Sequence, residues 1–363
     1  MENSLTDYIT VIEDRIHHDL ISPARILEIK RITDIFPSQI TSMFGFECRL
    51  GDDIPQADLA FSILPEMAAI LESIDREESF WPGDGIWNGV REVINRIEEP
   101  GLKDVAGLLW LEFDLDRPFK GVPAPGVFLS FERFMRHNRL RLSMKEKAER
   151  LLSASESVIS SLRGRQFFDR IQPAFAEALR LLPEHSMLFQ VGTMTSRPGE
   201  YMRICIQDIT MEEIITFLEK MKWPGSFEEL DALLRTLSDF SGSTVLALDL
   251  GEAVMPKVGV EISFQEDMIS KKEPPWKGFL GYLADEGLCT RKKADALLEY
   301  PGHILQNPGQ GFWPVSLQKA SVFWGRSIFI NRLDHFKVTY QKDCPLEAKS
   351  YLAVCQEWLK KAR

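Results

Sequence analysis

Apolar and polar residues alternate strictly along residues 245–264. Leu246, Leu248 and Leu250 are interleaved with Ala247 and Asp249. After a turn at 251–256, Val258, Val260, Ile262 and Phe264 are interleaved with Lys257, Gly259, Glu261 and Ser263. A period of two puts successive side chains on opposite faces of a strand, so this stretch predicts a β-hairpin with one apolar and one polar face. Four further stretches read alike. Phe44, Phe46, Cys48 and Leu50 alternate with Gly45, Glu47 and Arg49, and Leu59, Phe61 and Ile63 form the return after a turn at 51–55. Leu109, Leu111 and Phe113 alternate with Trp110, Glu112 and Asp114, with a return strand over 126–131. Residues 187–193 pair with 201–207 across Arg197-Pro198-Gly199, a strong turn signal, and Tyr201, Arg203, Cys205 and Gln207 share one face of the second strand. A fifth hairpin joins 327–331 to 334–340 through a tight turn; His335, Lys337 and Thr339 alternate there with Phe336, Val338 and Tyr340.

Helical periodicity fills the intervals: 5–32, 67–74 and 86–97 (broken at a Trp81-Pro82-Gly83 turn), 144–182, 210–237 with a Pro224-Gly225 break, 275–299 with Thr290 as an internal cap, and a closing helix over 346–360. Helix, hairpin, helix thus recurs five times at a spacing of roughly 60–80 residues, the mark of a duplicated supersecondary unit. The helices offer a cover for every apolar strand face, which leaves the polar faces to turn inward together. The expectation is an α+β fold: one closed barrel of ten antiparallel strands with a polar lumen and helices outside. No low-complexity linker interrupts the series, so residues 1–363 are read as a single domain.

Composition narrows the partners. A net charge of −11 argues against nucleic acid, which needs clustered Lys and Arg. No apolar run approaches the ~20 residues of a membrane span, and the first residues carry acids where a signal peptide needs a basic and then an apolar stretch, so a cytoplasmic protein without a membrane partner is expected. The five cysteines, Cys48, Cys205, Cys289, Cys344 and Cys355, include no C-x-x-C pair, and no nucleotide, zinc or nucleophile-elbow motif occurs.

Candidate chemistry therefore rests on the polar strand faces. Inward cations are Arg49, Arg203, Lys257 and Lys337; inward acids are Glu47, Glu112, Asp114, Asp249 and Glu261; Trp110 and Tyr201 are the inward aromatics. Glu112 and Asp114, two apart on one strand, are the candidate divalent-metal pair, and His335 beside Lys337 is the candidate proton relay.

Five helix-flanked hairpins closing around a polar lumen resemble the αββα prenyltransferase-barrel superfamily, which includes aromatic, indole and cyanobactin-type peptide prenyltransferases. The likeness spans nearly the whole chain and is one of repeat architecture. It implies that Arg49, Arg203, Lys257 and Lys337 bind an isoprenoid diphosphate, where cations stabilise the leaving group's growing charge. It implies that Glu47, on the first strand, holds and then deprotonates the acceptor, an aromatic small molecule or a side chain of a peptide natural product. Trp110, Tyr201 and His335 would line the substrate site; no cofactor would be required, with Mg²⁺ an optional bridge between the inward acids and the diphosphate. Two other readings stay open. The near balance of inward acids and bases suits a non-catalytic barrel holding a peptide or a zwitterionic ligand, its cations all paired to acids. A non-prenyl enzyme using Glu112 and Asp114 as metal ligands is the third.

Overall fold

The computed structural model describes residues 4–67, 71, 82, 85–116, 121–138, 141–197, 199–240, 242–264, 274, 276–307 and 311–359. Eleven strands form one antiparallel sheet: β1 (Met43–Arg49), β2 (Ala57–Ile63), β3 (Leu108–Phe113), β4 (Gly126–Ser130), β5 (Met187–Met194), β6 (Met202–Gln207), β7 (Ser243–Leu250), β8 (Val254–Ser263), β9 (Gly302–Leu305), β10 (Arg326–Tyr340) and β11 (Glu347–Leu359). Each of β1 to β7 pairs with the next, β8 with the second half of β10, β10 with β11, and β11 with β1, so ten strands close a barrel. The short β9 lies outside the ring, against residues Ile328 to Asn331 of β10.

Helices wrap the outside: α1 (Thr6–Ile12), α2 (Pro23–Thr33), α3 (Gly85–Arg96), α4 (Glu132–His137), α5 (Met144–Arg163), α6 (Arg165–Leu181), α7 (Met211–Lys220), α8 (Phe227–Ser238), α9 (Lys277–Asp285), α10 (Arg291–Glu299) and α11 (Val315–Trp324). Their starts are written in the sequence. Ser22 accepts from the Arg25 N–H ahead of Pro23, Ser143 with Glu146 and Thr210 with Glu213 form capping boxes, and Thr290 accepts from the Lys293 N–H. The core lies between helices and barrel, not inside it. Phe36, Phe61, Trp87 and Phe113 form one such cluster, with Phe36 and Phe61 edge to face at 5.0 Å and Phe61 and Phe113 stacked at 5.7 Å. Phe46, Cys48, Leu111, Ile204, Val258 and Val338 all point into that layer.

The structure corrects four sequence expectations. Residues 5–32 form two helices, because Pro23 starts a second one. Residues 144–182 divide at Gly164, whose φ of +87° an L side chain tolerates poorly. The fifth hairpin is not confined to 327–340: β10 is one continuous strand across the expected turn, and its partner is β11, where a closing helix was expected. A bulge between Leu333 and His335 explains the reading of a turn, since one extra residue breaks the period of two. The expected helix over 67–74 and the 81–83 turn fall largely outside the described residues.

Candidate functional site

The barrel encloses a cavity of about 200 Å³. Its wall is divided. Trp110 on β3 stands directly opposite Phe128 on β4, and with Phe189 and Met194 of β5 they form an aromatic patch. Phe128 reaches into the lumen because its neighbour on β5 is Gly192, where any Cβ would clash with the ring. Gly259 likewise leaves room for the aliphatic stem of Lys337.

The rest of the wall is charged, and strand register decides who meets whom. Arg203 lies opposite Asp249 and donates to both its oxygens at 2.8 and 3.0 Å. Lys337 lies opposite Glu261 and donates to it at 2.9 Å. Tyr351 lies opposite Glu47 and gives it its hydroxyl proton in a hydrogen bond, while Lys349, two residues earlier on β11, donates to the other oxygen. Near the mouth, Arg197 binds Asp114, which also accepts from the Ser196 hydroxyl at 2.6 Å, and Lys257 pairs with Glu347 at 3.0 Å. The bulge at Asp334 turns both Asp334 and His335 toward the lumen; His335 contacts Asp334 at 2.8 Å and stacks on Tyr351 with ring centroids 4.0 Å apart. Every described cation lining the cavity is thus paired with a carboxylate.

Glu112 is the exception among the acids of this wall. Among the described residues it makes no hydrogen bond and no ion pair. Burial and the nearby negative charge of Glu47 raise its pKa from an ordinary 4.5 to about 7, against a smaller pull from Arg203 and Lys337. Glu47 shows the opposite outcome. Burial alone would raise its pKa, but Lys349 and the Tyr351 hydroxyl outweigh it and hold the carboxyl well below the usual carboxylate range. Burial and Glu47 together push the Tyr351 phenol far up, so it remains a donor. For His335, burial is outweighed by Asp334 and Glu261, and the net shift is upward.

Of the sequence candidates, Glu47, Glu112, Asp114, Trp110, Arg203, Lys257, Lys337 and His335 line the cavity. Arg49 and Tyr201 do not. Arg49 ends β1 and its guanidinium sits between Asp58 and Asp116, 3.3 Å from each. Tyr201 precedes β6 and folds against Gly199. Tyr340 faces outward, donating to Glu229 of α8 at 2.6 Å. Asp114 is taken by Arg197 and Ser196, and no group of three or more His, Cys, Asp or Glu among the described residues could hold a metal ion. This donor set does not fit Mg²⁺ at Glu112 and Asp114. Sequence reasoning missed Lys349 and Tyr351, which it placed on a helix, although Lys349, Tyr351 and Ala353 alternate with Ala348, Ser350 and Leu352 in the strand they form. It also missed Asp58, Arg197, Phe128 and Phe189, whose role depends on register and loop path.

No known protein-family profile matches the chain, and no curated protein matches it. Solved structures do. The prenyltransferase PriB in its apo form is 11% identical and superposes with a TM-score of 0.52, covering 96% of this chain and 94% of that one. The 5-dimethylallyltryptophan synthase of Streptomyces coelicolor, bound to the thiolodiphosphate analogue DMASPP and Trp, is 14% identical with a TM-score of 0.50, covering 97% and 95%. The 6-dimethylallyltryptophan synthase of Micromonospora olivasterospora, with the same two ligands, is 10% identical with a TM-score of 0.52, covering 96% and 97%. The fold of this chain is that of the prenyltransferase barrel.

Proposed function

We propose that the lumen receives one aromatic ligand bearing an ammonium group, a free zwitterionic amino acid or the N-terminal aromatic residue of a peptide, and that it is not built around an isoprenoid diphosphate. The observation that carries this reading is the pairing of every described lumen cation. The lining holds the carboxyl groups of Glu47, Asp58, Glu112, Asp114, Asp249, Glu261 and Asp334 against the cations Arg197, Arg203, Lys257, Lys337 and Lys349. A diphosphate entering this wall would meet more acid than base, and each cation it recruited would leave a buried carboxylate behind. Size points the same way: about 200 Å³ is below the ~300–1,000 Å³ of typical ligand pockets and suits one small ligand better than a donor and an acceptor together. In this reading the ring lies on Trp110 and Phe128. The ligand ammonium takes Glu112, which has no other partner among the described residues. Arg203 and Lys337, with donors to spare beyond their own acids, take the carboxylate or backbone carbonyl. All five cysteines are free, in keeping with a cytoplasmic protein.

A second reading, prenyl transfer, is favoured by the likeness to structures that hold dimethylallyl thiolodiphosphate analogues and tryptophan. There Arg203, Lys257 and Lys337 would hold the diphosphate, the allylic carbon–oxygen bond would ionise, and Glu47 would accept the proton lost from an aromatic or peptide acceptor after it attacks the cation.

Calorimetric titration separates the two. L-Tryptophan or a peptide with tryptophan at its N-terminus should bind, and Trp110→Ala and Glu112→Gln should each weaken it about tenfold, the scale of one lost contact of ~1.5 kcal/mol. Dimethylallyl thiolodiphosphate should show no saturable binding. Saturable binding of that analogue, with a dimethylallylated product detected by mass spectrometry when the diphosphate itself is supplied, would replace the first reading with the second.

A further inference from the structure

The end of α11 is the most exposed apolar feature among the described residues. Val322, Phe323 and Trp324 are 69%, 83% and 66% exposed, Phe312 and Val315 ahead of and at the start of the helix are also exposed, and only Leu317 of the helix is buried. Single exposed apolar residues mean little, but three consecutive large ones are an unsatisfied surface. The charge around them departs from the rest of the molecule. Residues 300–333 contain no Asp or Glu in a chain with 54 of them, yet carry Lys319, Arg326 and Arg332. Lys319 and Arg326 are exposed and make no ion pair among the described residues, where Arg326 donates to the Gln306 carbonyl at 3.0 Å. The adjoining strand adds one exposed acid, Glu357, opposite Ile328.

We propose that this tip inserts into the surface of an anionic lipid bilayer and makes the protein a reversible peripheral membrane associate. The arrangement of the three residues selects lipid over a protein groove. Consecutive helical positions are about 100° apart around the axis, so Val322, Phe323 and Trp324 point in three directions. A protein groove accepts a helix along one face, through positions spaced three or four apart. A fluid apolar medium accommodates all three at once, with Phe and Trp at the depth that interfacial aromatics prefer and Lys319 and Arg326 at the headgroups. Such an association departs from the sequence expectation of no membrane partner, whose ground was the absence of a span: no helix among the described residues is long and apolar enough to cross a membrane, and this tip lies on the surface instead.

Register also fixes where the tip sits relative to the chamber. In the β10–β11 ladder Arg326 pairs with Leu359 at one end and Thr339 with Glu347 at the other, and Glu347 pairs with Lys257 of the cavity lining. The tip and the Lys257–Glu347 pair are therefore at opposite ends of the β10–β11 ladder.

The test is flotation of the intact chain with vesicles of phosphatidylcholine alone and of phosphatidylcholine mixed with phosphatidylserine. The protein should float with the mixed vesicles and much less with the neutral ones, and added salt should release it. Phe323→Ser with Trp324→Ser should cut binding tenfold or more, from the apolar burial lost, and Lys319→Glu about fivefold or more. All three positions are exposed, so an unchanged melting temperature will show that the variants are folded. Equal flotation of the double variant, no flotation of the parent protein, or light scattering that shows a dimer dissolved by the double variant would each overturn the proposal, the last in favour of a second copy of the chain.

Discussion

Glu47 and Glu112 are the same side chain on two strands of one wall, and their surroundings drive them apart. Glu47 has an ammonium and a phenol on its oxygens; Glu112 has neither and feels the charge of Glu47 as well as burial. A carboxyl raised from 4.5 to about 7 keeps its proton in the folded state after the unfolded chain has lost it. Between those limits the folded state binds more protons, so stability falls as pH rises through the window and levels off above it. The loss is on the order of 1–3 kcal/mol, reduced from the full shift because water reaches the chamber. Melting temperatures from pH 5 to about 8 should therefore decline in the parent protein and decline less in Glu112→Gln; identical slopes would refute the assignment. Ligand affinity should run the other way. An ammonium group pairs with the ionised form only, so binding strengthens as pH rises through the same window, and Glu112→Gln flattens that profile too. Arg203 gives a second test at this scale. Arg203→Met leaves Asp249 buried without its partner and should cost about 3–5 kcal/mol by denaturant unfolding, with Asp249→Asn in the same chain recovering much of it. A cation reserved for a ligand would show little of that recovery.

Among the elements, β10 shows what a period of two reveals and what it hides. Phe329 and Leu333 face the helices before the bulge, Phe336, Val338 and Tyr340 after it, and the parity changes at Asp334. Alternation alone placed Lys337 and His335 on the lumen side, because each local run is regular. It did not show that the two runs are one strand, because the extra residue looks like a turn. For β11, Ala, Lys, Leu, Glu and Gln favour a helix and its outward face is small at Ala348 and Ser350, so the strand pattern is faint until β1 and β10 flank it. That misreading concealed Lys349 and Tyr351. The inward residues of the other strands were legible, but their partners were not, since a pairing such as Arg203 with Asp249 depends on register between strands rather than order within one. Deleting Asp334 should be far more harmful than replacing it. Without the extra residue, either Phe336 and Val338 turn into the lumen while Lys337 and Thr339 enter the helix-facing core, or Phe329 and Leu333 on the other side of the bulge leave that core. The deletion should abolish cooperative unfolding followed by circular dichroism, whereas Asp334→Ala should retain it; a deletion variant that still melts cooperatively would remove the bulge from its role.

At the scale of the molecule, what separates a barrel from a curled sheet is the pair of ladders made by β11. It joins β1 over seven residue pairs, from Met43 with Cys355 to Arg49 with Lys349, and β10 along nearly its whole length. Without it, β1 and the second half of β10 each present an edge of unpaired N–H and C=O groups lined by Phe44, Phe46, Phe336 and Val338, the kind of edge that recruits another chain. The same strand supplies the ammonium and phenol that hold Glu47 ionised, so closure of the fold and electrostatics of the chamber depend on one element. A chain ending at residue 345 should consequently fail in two separable ways. Size-exclusion chromatography should show it associating or aggregating at concentrations where the full chain does not, and any folded fraction should lose tryptophan binding. Lys349→Met with Tyr351→Phe, which keeps the ladders and removes only the polar contacts to Glu47, should elute as the parent protein does while its binding changes. If the truncated chain stays monomeric and melts cooperatively, β11 is an accessory to the barrel and the wall it completes is not what fixes the state of Glu47.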